Sequence, residues 1–275
     1  MSIAIPDFVE IPGTLVKVNA QEDEWRKALE AQQARLIAEE LERLGAIILP
    51  DDMTLRDVGQ LRRRIRQLLP QLAGAVEWLL VKATELGVTV AVSELAAAGV
   101  GLSVDRLQVD AAADNWHKQW NAELTPLIVA NTERAAQQQL AKFHAGEQDI
   151  NALRMGLAYW FSRQRADNIA TTETTRGFAK ASELAYRDAG IRAWQFLTAN
   201  DDRVCPICAP LGGLAWTEEG AQPVSKRTQE ARGERSAVGQ PFVHPGGVER
   251  AGRYTGQPFS LPAHTRCRCR VVPVL

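Results

Sequence analysis

Apolar residues recur at a helical period through most of the first 190 positions, a pattern that predicts a series of amphipathic helices. Asn19 can cap the first, and Glu22, Asp23 and Glu24 suit the positive end of its dipole. Trp25, Leu29, Leu36 and Leu41 carry its period as far as Gly45, which reads as a stop. Ile47 to Pro50 reads as a short apolar link. Thr54 caps a second helix with a stripe of Leu55, Val58, Leu61, Ile65, Leu68 and Leu69, closed or kinked by Pro70. Its other face carries Arg62, Arg63, Arg64 and Arg66. A third helix, Gln71 to about Ala98, is apolar on most sides and is expected to be the most buried, with a break at Gly99 to Gly101. Asp105 or Asp110 starts a long helix through Trp116, Trp120, Leu124, Ile128, Leu140 and Phe143 to Gly146, with Pro126 inside it. Helical segments 148–164 and 166–189 follow, the last stopped by Gly190.

The texture differs at the two ends. Residues 1–19 read as an extended arm with one short strand, Thr14 to Val18. After Gly190, Trp194 to Leu197 reads as a strand and Leu214-Ala215-Trp216 as its return. Arg268 to Val274 is expected to close the chain as another strand. The expected class is therefore α+β: a mainly α-helical region, 20–190, followed by a small β-rich, cysteine-containing module, 191–275, with a long loop at 224–256.

Composition narrows the partners. Charged residues make up 24% of the 275 positions, which fits a globular chain, and the net charge of −1 opposes bulk attraction to nucleic acid. The distribution is uneven: from Val224 to Leu275 there are nine Lys or Arg against three Glu, a local balance of +6. Arg62, Arg63 and Arg66 on the second helix, and Lys226, Arg227 and Arg268 in the tail, are the candidates for phosphate contact. The plainer reading of both groups is a solvated helix face and a solvated loop. Trp116 and Trp120 lie four apart, a spacing that serves either core packing or base stacking. The N-terminus has no signal-peptide pattern, and the apolar stretch Leu72 to Leu102 is interrupted by Glu77, Lys82, Glu85 and Glu94. A soluble, cytosolic protein without a membrane partner is expected.

All four cysteines lie in the last seventy-one residues, as Cys205-Pro-Ile-Cys208 and then His264-Thr-Arg-Cys267-Arg-Cys269. A C-x-x-C turn converges two thiolates on one ion, and a distant H-x-x-C or C-x-C can complete a tetrahedral zinc site. Cys205, Cys208, His264, Cys267 and Cys269 are five candidates for four places, so either His264 or Cys269 completes the set. Two disulfides or four free thiols are the alternatives, and a cytosolic setting favours metal over disulfide. His117 and His144 have no partner at ligand spacing and read as ordinary helix residues; His244 is a weak stray candidate. No H-E-x-x-H, phosphate loop or nucleophile elbow occurs, and no catalytic residue or small-molecule substrate is assigned. A zinc in the small module would be structural, supplying folding free energy that its few apolar residues do not.

The run from Trp194 through Asp201-Asp202-Arg203-Val204-Cys205 to Gly213, with Pro262 to Cys269, resembles the C-terminal module of phage head-morphogenesis proteins, the Mu F-like minor head family. The preceding Ile169-Ala-Thr-Thr-Glu173-Thr-Thr-Arg176 and Tyr186 to Gly190 resemble the segment before the cysteines in that family. The likeness covers about Arg165 to Val272, and the 224–256 loop is longer than the family pattern. The resemblance implies a non-enzymatic minor head protein of a tailed phage or prophage, present in few copies. It implies contact with the portal protein, with scaffold or capsid protein and DNA as further partners, in the bacterial cytoplasm during assembly and then in the virion head. A zinc-stabilised DNA-binding module and a toxin-like enzyme hosted on the cysteine module are the competing classes.

Overall fold

The computed structural model describes residues 7–11, 14–18, 20–100, 104–197, 215–217, 220–222, 261 and 267–273. They are mostly helical. Six α-helices follow the predicted order: α1 (Ala20–Ile48), α2 (Leu55–Leu68), α3 (Ala73–Ala97), α4 (Arg106–His144), α5 (Ile150–Ala158) and α6 (Arg163–Asp188). Their ends obey local chemistry. Thr54 and Asp57 form a reciprocal capping box on α2, which leaves the Asp57 carboxyl near a pKa of about 2, first through its bonds to Thr54. Asp105 caps α4, Asp149 caps α5 and Ser162 caps α6. Helices α3, α4 and α6 stop at Gly99, Gly146 and Gly190, each at positive φ, with paired bonds back into the last turn as in Gly190 N–H to Arg187 O and Ile191 N–H to Tyr186 O. Pro70 sits in a 3-10 turn, Leu69–Leu72, that links α2 to α3.

Three expectations are corrected. Helix α1 continues through Gly45 into Ile48, so Ile47 and Ile48 are helical and not a link. Gly45 is there for close packing: a Cβ would lie 2.7 Å from Phe161 Cβ. Leu55 is 70% exposed, and the buried stripe of α2 begins one turn later at Val58. The segment 148–164 is not one helix, because α5 passes into a 3-10 turn, Tyr159–Phe161, and Ser162 restarts the chain as α6 before Ala166.

Helices α3 and α6 form the most extensive interface, followed by α1 with α6. The first is close because glycines meet the opposite helix: a Cβ at Gly87 would stand 2.5 Å from Phe178 O, and one at Gly177 would stand 2.8 Å from Ala83 Cβ. One apolar cluster joins α1, α2 and α4 through Leu41, Leu61, Ile65 and Ile128. A second joins α3 and α6 to Trp194, Cys267, Cys269 and Val271.

Strands occupy both ends. β1 (Asp7–Ile11) pairs antiparallel with β2 (Thr14–Val18), so the expected N-terminal strand has a hairpin partner. A four-stranded sheet has the order β5-β4-β3-β6, from β3 (Ala193–Leu197), β4 (Ala215–Thr217), β5 (Gly220–Gln222) and β6 (Arg270–Pro273). All its pairs are antiparallel, with Trp194 opposite Trp216 and Leu197 opposite Arg270.

Candidate functional site

The C-terminal segment enters the helical body along a polar seam that begins on α1. Glu22, Arg26, Glu30 and Gln33 are all buried, at spacings that put them on one helix face. Buried charge is costly unless paired, and here the partners come from α6 and from the segment leading into β6. Arg26 donates to Thr175 Oγ1 at 3.0 Å and to Arg268 O at 3.2 Å. Thr175 Oγ1 donates to Cys267 O at 2.5 Å. Glu30 accepts from Thr171 and pairs with Arg268 at 3.2 Å. Arg270 closes the seam, with Glu22 at 2.5 Å and Glu94 of α3 at 2.8 Å. Burial works to depress the Arg270 guanidinium, but the Glu94 and Glu22 carboxylates beside it raise it above its ordinary value. Tyr186 donates to Glu94 at 2.7 Å, and burial pushes its phenol well above the usual range.

Cys267 and Cys269 lie at the end of this seam, 1% and 5% exposed, within the cluster that contains Tyr186 and Val271. Cys205, Cys208, His264, Lys226 and Arg227 lie outside the described residues. Among the described residues no group of three or more His, Cys, Asp or Glu is placed to hold a metal ion. Leu197 pairs with Arg270, so β3 ends beside the start of β6, directly after Cys269.

The arginines of α2 separate into two groups. Arg62 and Arg66 both bond Glu133 of α4, Arg62 at 2.6 Å. Those bonds, Arg66 first, hold the Glu133 carboxyl below its usual range. Arg64 pairs with Asp57 at 2.6 Å, and Arg63 is exposed. The run thus braces α2 against α4 through one shared carboxylate. Arg268 in the tail is likewise tied to Glu30 while keeping 38% of its side chain exposed.

A third site was not singled out from the sequence as a whole, although Trp116, Trp120, Arg176 and Trp194 were each named separately. Trp116 and Trp120 of α4 line a cleft of about 290 Å³ with Arg176, Lys180 and Arg187 of α6. Trp194 and Val271 lie at its base. The two indoles are parallel within 4°, with centroids 6.4 Å apart. Trp120 Nε1–H donates to Glu173 at 2.7 Å, and the Arg176 guanidinium stands 4.3 Å above the Trp120 ring while bonding Glu173 at 2.9 Å. Glu173 and Arg176 thus pair along α6, and the pair braces the Trp120 ring. Its neighbours Thr171 and Thr175, not Glu173 itself, reach the seam that holds the cysteine segment. His117 is a helix residue of α4, as expected, and is buried, with Asp114 3.6 Å from its Nε2.

Comparison with protein-family models, with curated proteins and with solved structures finds no match to this chain. No helix among the described residues is long and apolar enough to cross a membrane.

Proposed function

We propose that this protein is a minor head protein of a tailed phage or prophage, associated with the portal and acting in procapsid assembly or in the handling of packaged DNA. The reading rests on the resemblance of the two cysteine blocks and the Thr-Thr-Glu173-Thr-Thr-Arg176 segment. The observation that carries it furthest is the Leu197–Arg270 register, which sets the end of β3 beside the start of β6, directly after Cys269. In the same way, the Thr-rich segment of α6 is the element that bonds the backbone at Cys267. The cysteine-bearing end is then a β-rich module stapled by zinc, with Cys205, Cys208 and Cys267 as three ligands and either His264 or Cys269 as the fourth. The near-complete burial of Cys267 and Cys269 suits a sequestered structural ion, and zinc bound there would supply folding free energy without chemistry on a substrate.

The test has two arms. Elemental analysis of untagged protein is expected to find about one zinc per chain, four ligands being the complement of a structural site. A Cys205→Ser/Cys208→Ser variant should lose both the metal and the protease resistance of the C-terminal segment. Protein without metal but still protease-resistant would make the cysteines packing residues, as buried thiols often are. Independently, procapsids isolated from a host expressing the chain are expected to contain it together with the portal protein. Heads assembled normally without it, and never containing it, would end the proposal.

A further inference from the structure

We propose that the solvent face of α2 binds the phosphate backbone of nucleic acid through Arg56, Arg62, Arg63 and Arg66. This does not depend on the minor head reading, because it stands on the charges of one helix face alone. Arg56 and Arg63 lie two turns apart on the side of α2 opposite the buried Val58–Leu61–Ile65 stripe. Both are exposed, and neither has a carboxylate partner among the described residues. On the flank toward α4, Arg62 and Arg66 share the single carboxylate of Glu133. Each uses Nε and Nη2 on that carboxylate, and neither Nη1 has a partner among the described residues. Their side chains remain 42% and 58% exposed, so Glu133 orients two guanidinium forks without covering them. Capture of a phosphate there orders little further side chain.

The charges and the shape of the face select the ligand. Four guanidinium groups share one carboxylate, an excess of three, and counting Asp52, exposed in the turn before α2, still leaves two. Arg64 and Asp57 cancel on the opposite flank. Every cation of α2 is arginine, whose planar fork fits phosphate bidentately. Gly59 is exposed between Arg56 and Arg63, with nothing within 4 Å of a Cβ position, so no side chain there holds a strand away. From Arg56 to Arg66 the helix advances about 15 Å, over which one strand of a duplex presents about four phosphates. Helix α2 has no aromatic ring on which a base could stack, and its one strongly exposed apolar side chain is Leu55. It offers neither a stacking platform nor the desolvated anchor of a protein interface, which leaves charge-assisted contact to a backbone, without reading of sequence.

Fluorescence anisotropy of the full chain with a short labelled duplex of mixed sequence, across a salt series, tests this. Affinity is expected to fall with rising salt. The slope of log affinity against log salt should shrink by about one for each arginine removed, in Arg63→Gln and again in Arg56→Gln/Arg63→Gln. Arg63→Lys keeps the charge and should keep the slope. Arg35→Gln removes an exposed arginine paired with Glu39 on α1 and should leave binding as it was. Unchanged affinity and slope in the double variant, with helix content preserved by circular dichroism, overturns the proposal. So does a duplex that fails to bind at low salt, or a slope that falls as much in Arg35→Gln as in Arg63→Gln. Polyglutamate that displaces the probe as well as unlabelled duplex does, charge for charge, also overturns it and assigns the face to an acidic protein.

Discussion

Glycine at position 87 shows how a single missing methyl group sets the distance between two helices. In an exposed helix, Gly→Ala gains roughly 1 kcal/mol from propensity. At Gly87 the new Cβ would meet a backbone carbonyl, Phe178 O, at 2.5 Å and Phe178 Cα at 2.9 Å. Neither atom belongs to a flexible side-chain end, so α3 and α6 must separate. Gly87→Ala is therefore expected to destabilise the fold by about 1–3 kcal/mol, the range for overpacking, measured as a shift in the urea midpoint. A rise in the midpoint would mean that the two helices slide apart at no cost. Gly45 belongs to the same group, facing Phe161 Cβ. A glycine inside an amphipathic pattern looks like punctuation in the sequence. Only the tertiary approach of a second element distinguishes a stop from a contact.

At the scale of elements, α2 was legible and α1 was only half so. The Thr54 cap, the Val58–Leu61–Ile65 stripe and the Pro70 break are local signals, and each has its counterpart in the structure. The C-terminal half of α1 also follows the apolar rule, through Ile37, Leu41, Leu44 and Ile48. Its N-terminal half inverts that rule: Trp25 is 38% exposed, while Glu22, Arg26, Glu30 and Gln33 turn inward. Charged residues on a helix read as a wet face, and the partners that make this face dry, Arg268 and Arg270, lie more than two hundred positions away. The candidate cleft was hidden for a related reason. Trp116 and Trp120 were visible as a pair, but Arg176 and Lys180 come from a separate helix.

Gln33 tests how the seam is held. Its amide is fully buried, and neither its nitrogen nor its oxygen has a hydrogen-bond partner among the described residues. Removing an unsatisfied buried polar group in favour of an apolar one of similar length relieves a cost of about 1–3 kcal/mol. Gln33→Met should accordingly raise the melting temperature without altering helix content. A fall in melting temperature would place Gln33 among the groups that hold the seam together.

For the molecule as a whole, the seam decides whether the two ends of the chain behave as one cooperative unit. The expected boundary near position 190 separates helices from strands. Yet Arg268, Arg270 and the Cys267 carbonyl are bonded to α1, α3 and α6, and Trp194 and Val271 complete the second apolar cluster. Removing one member of a buried ion pair leaves its partner stranded, at a cost of about 3–5 kcal/mol, so the strand cannot lift away cheaply. Denaturation followed by far-ultraviolet circular dichroism and by tryptophan fluorescence should give coincident transitions, the signature of two-state behaviour. Two separated transitions would show that the terminal strands melt by themselves.

The pairing of Glu22 with Arg270 spans 248 positions. A ribosome therefore releases α1, with a row of charges on its inward face, long before the counterions for that row exist. Until Arg268 and Arg270 emerge, the nascent helices can gather around their apolar clusters but cannot bury that row without stranding carboxylates. Completion of the fold is tied to the arrival of the terminal strand, and a product broken off before residue 268 carries its own mark of incompleteness to the cell's proteases.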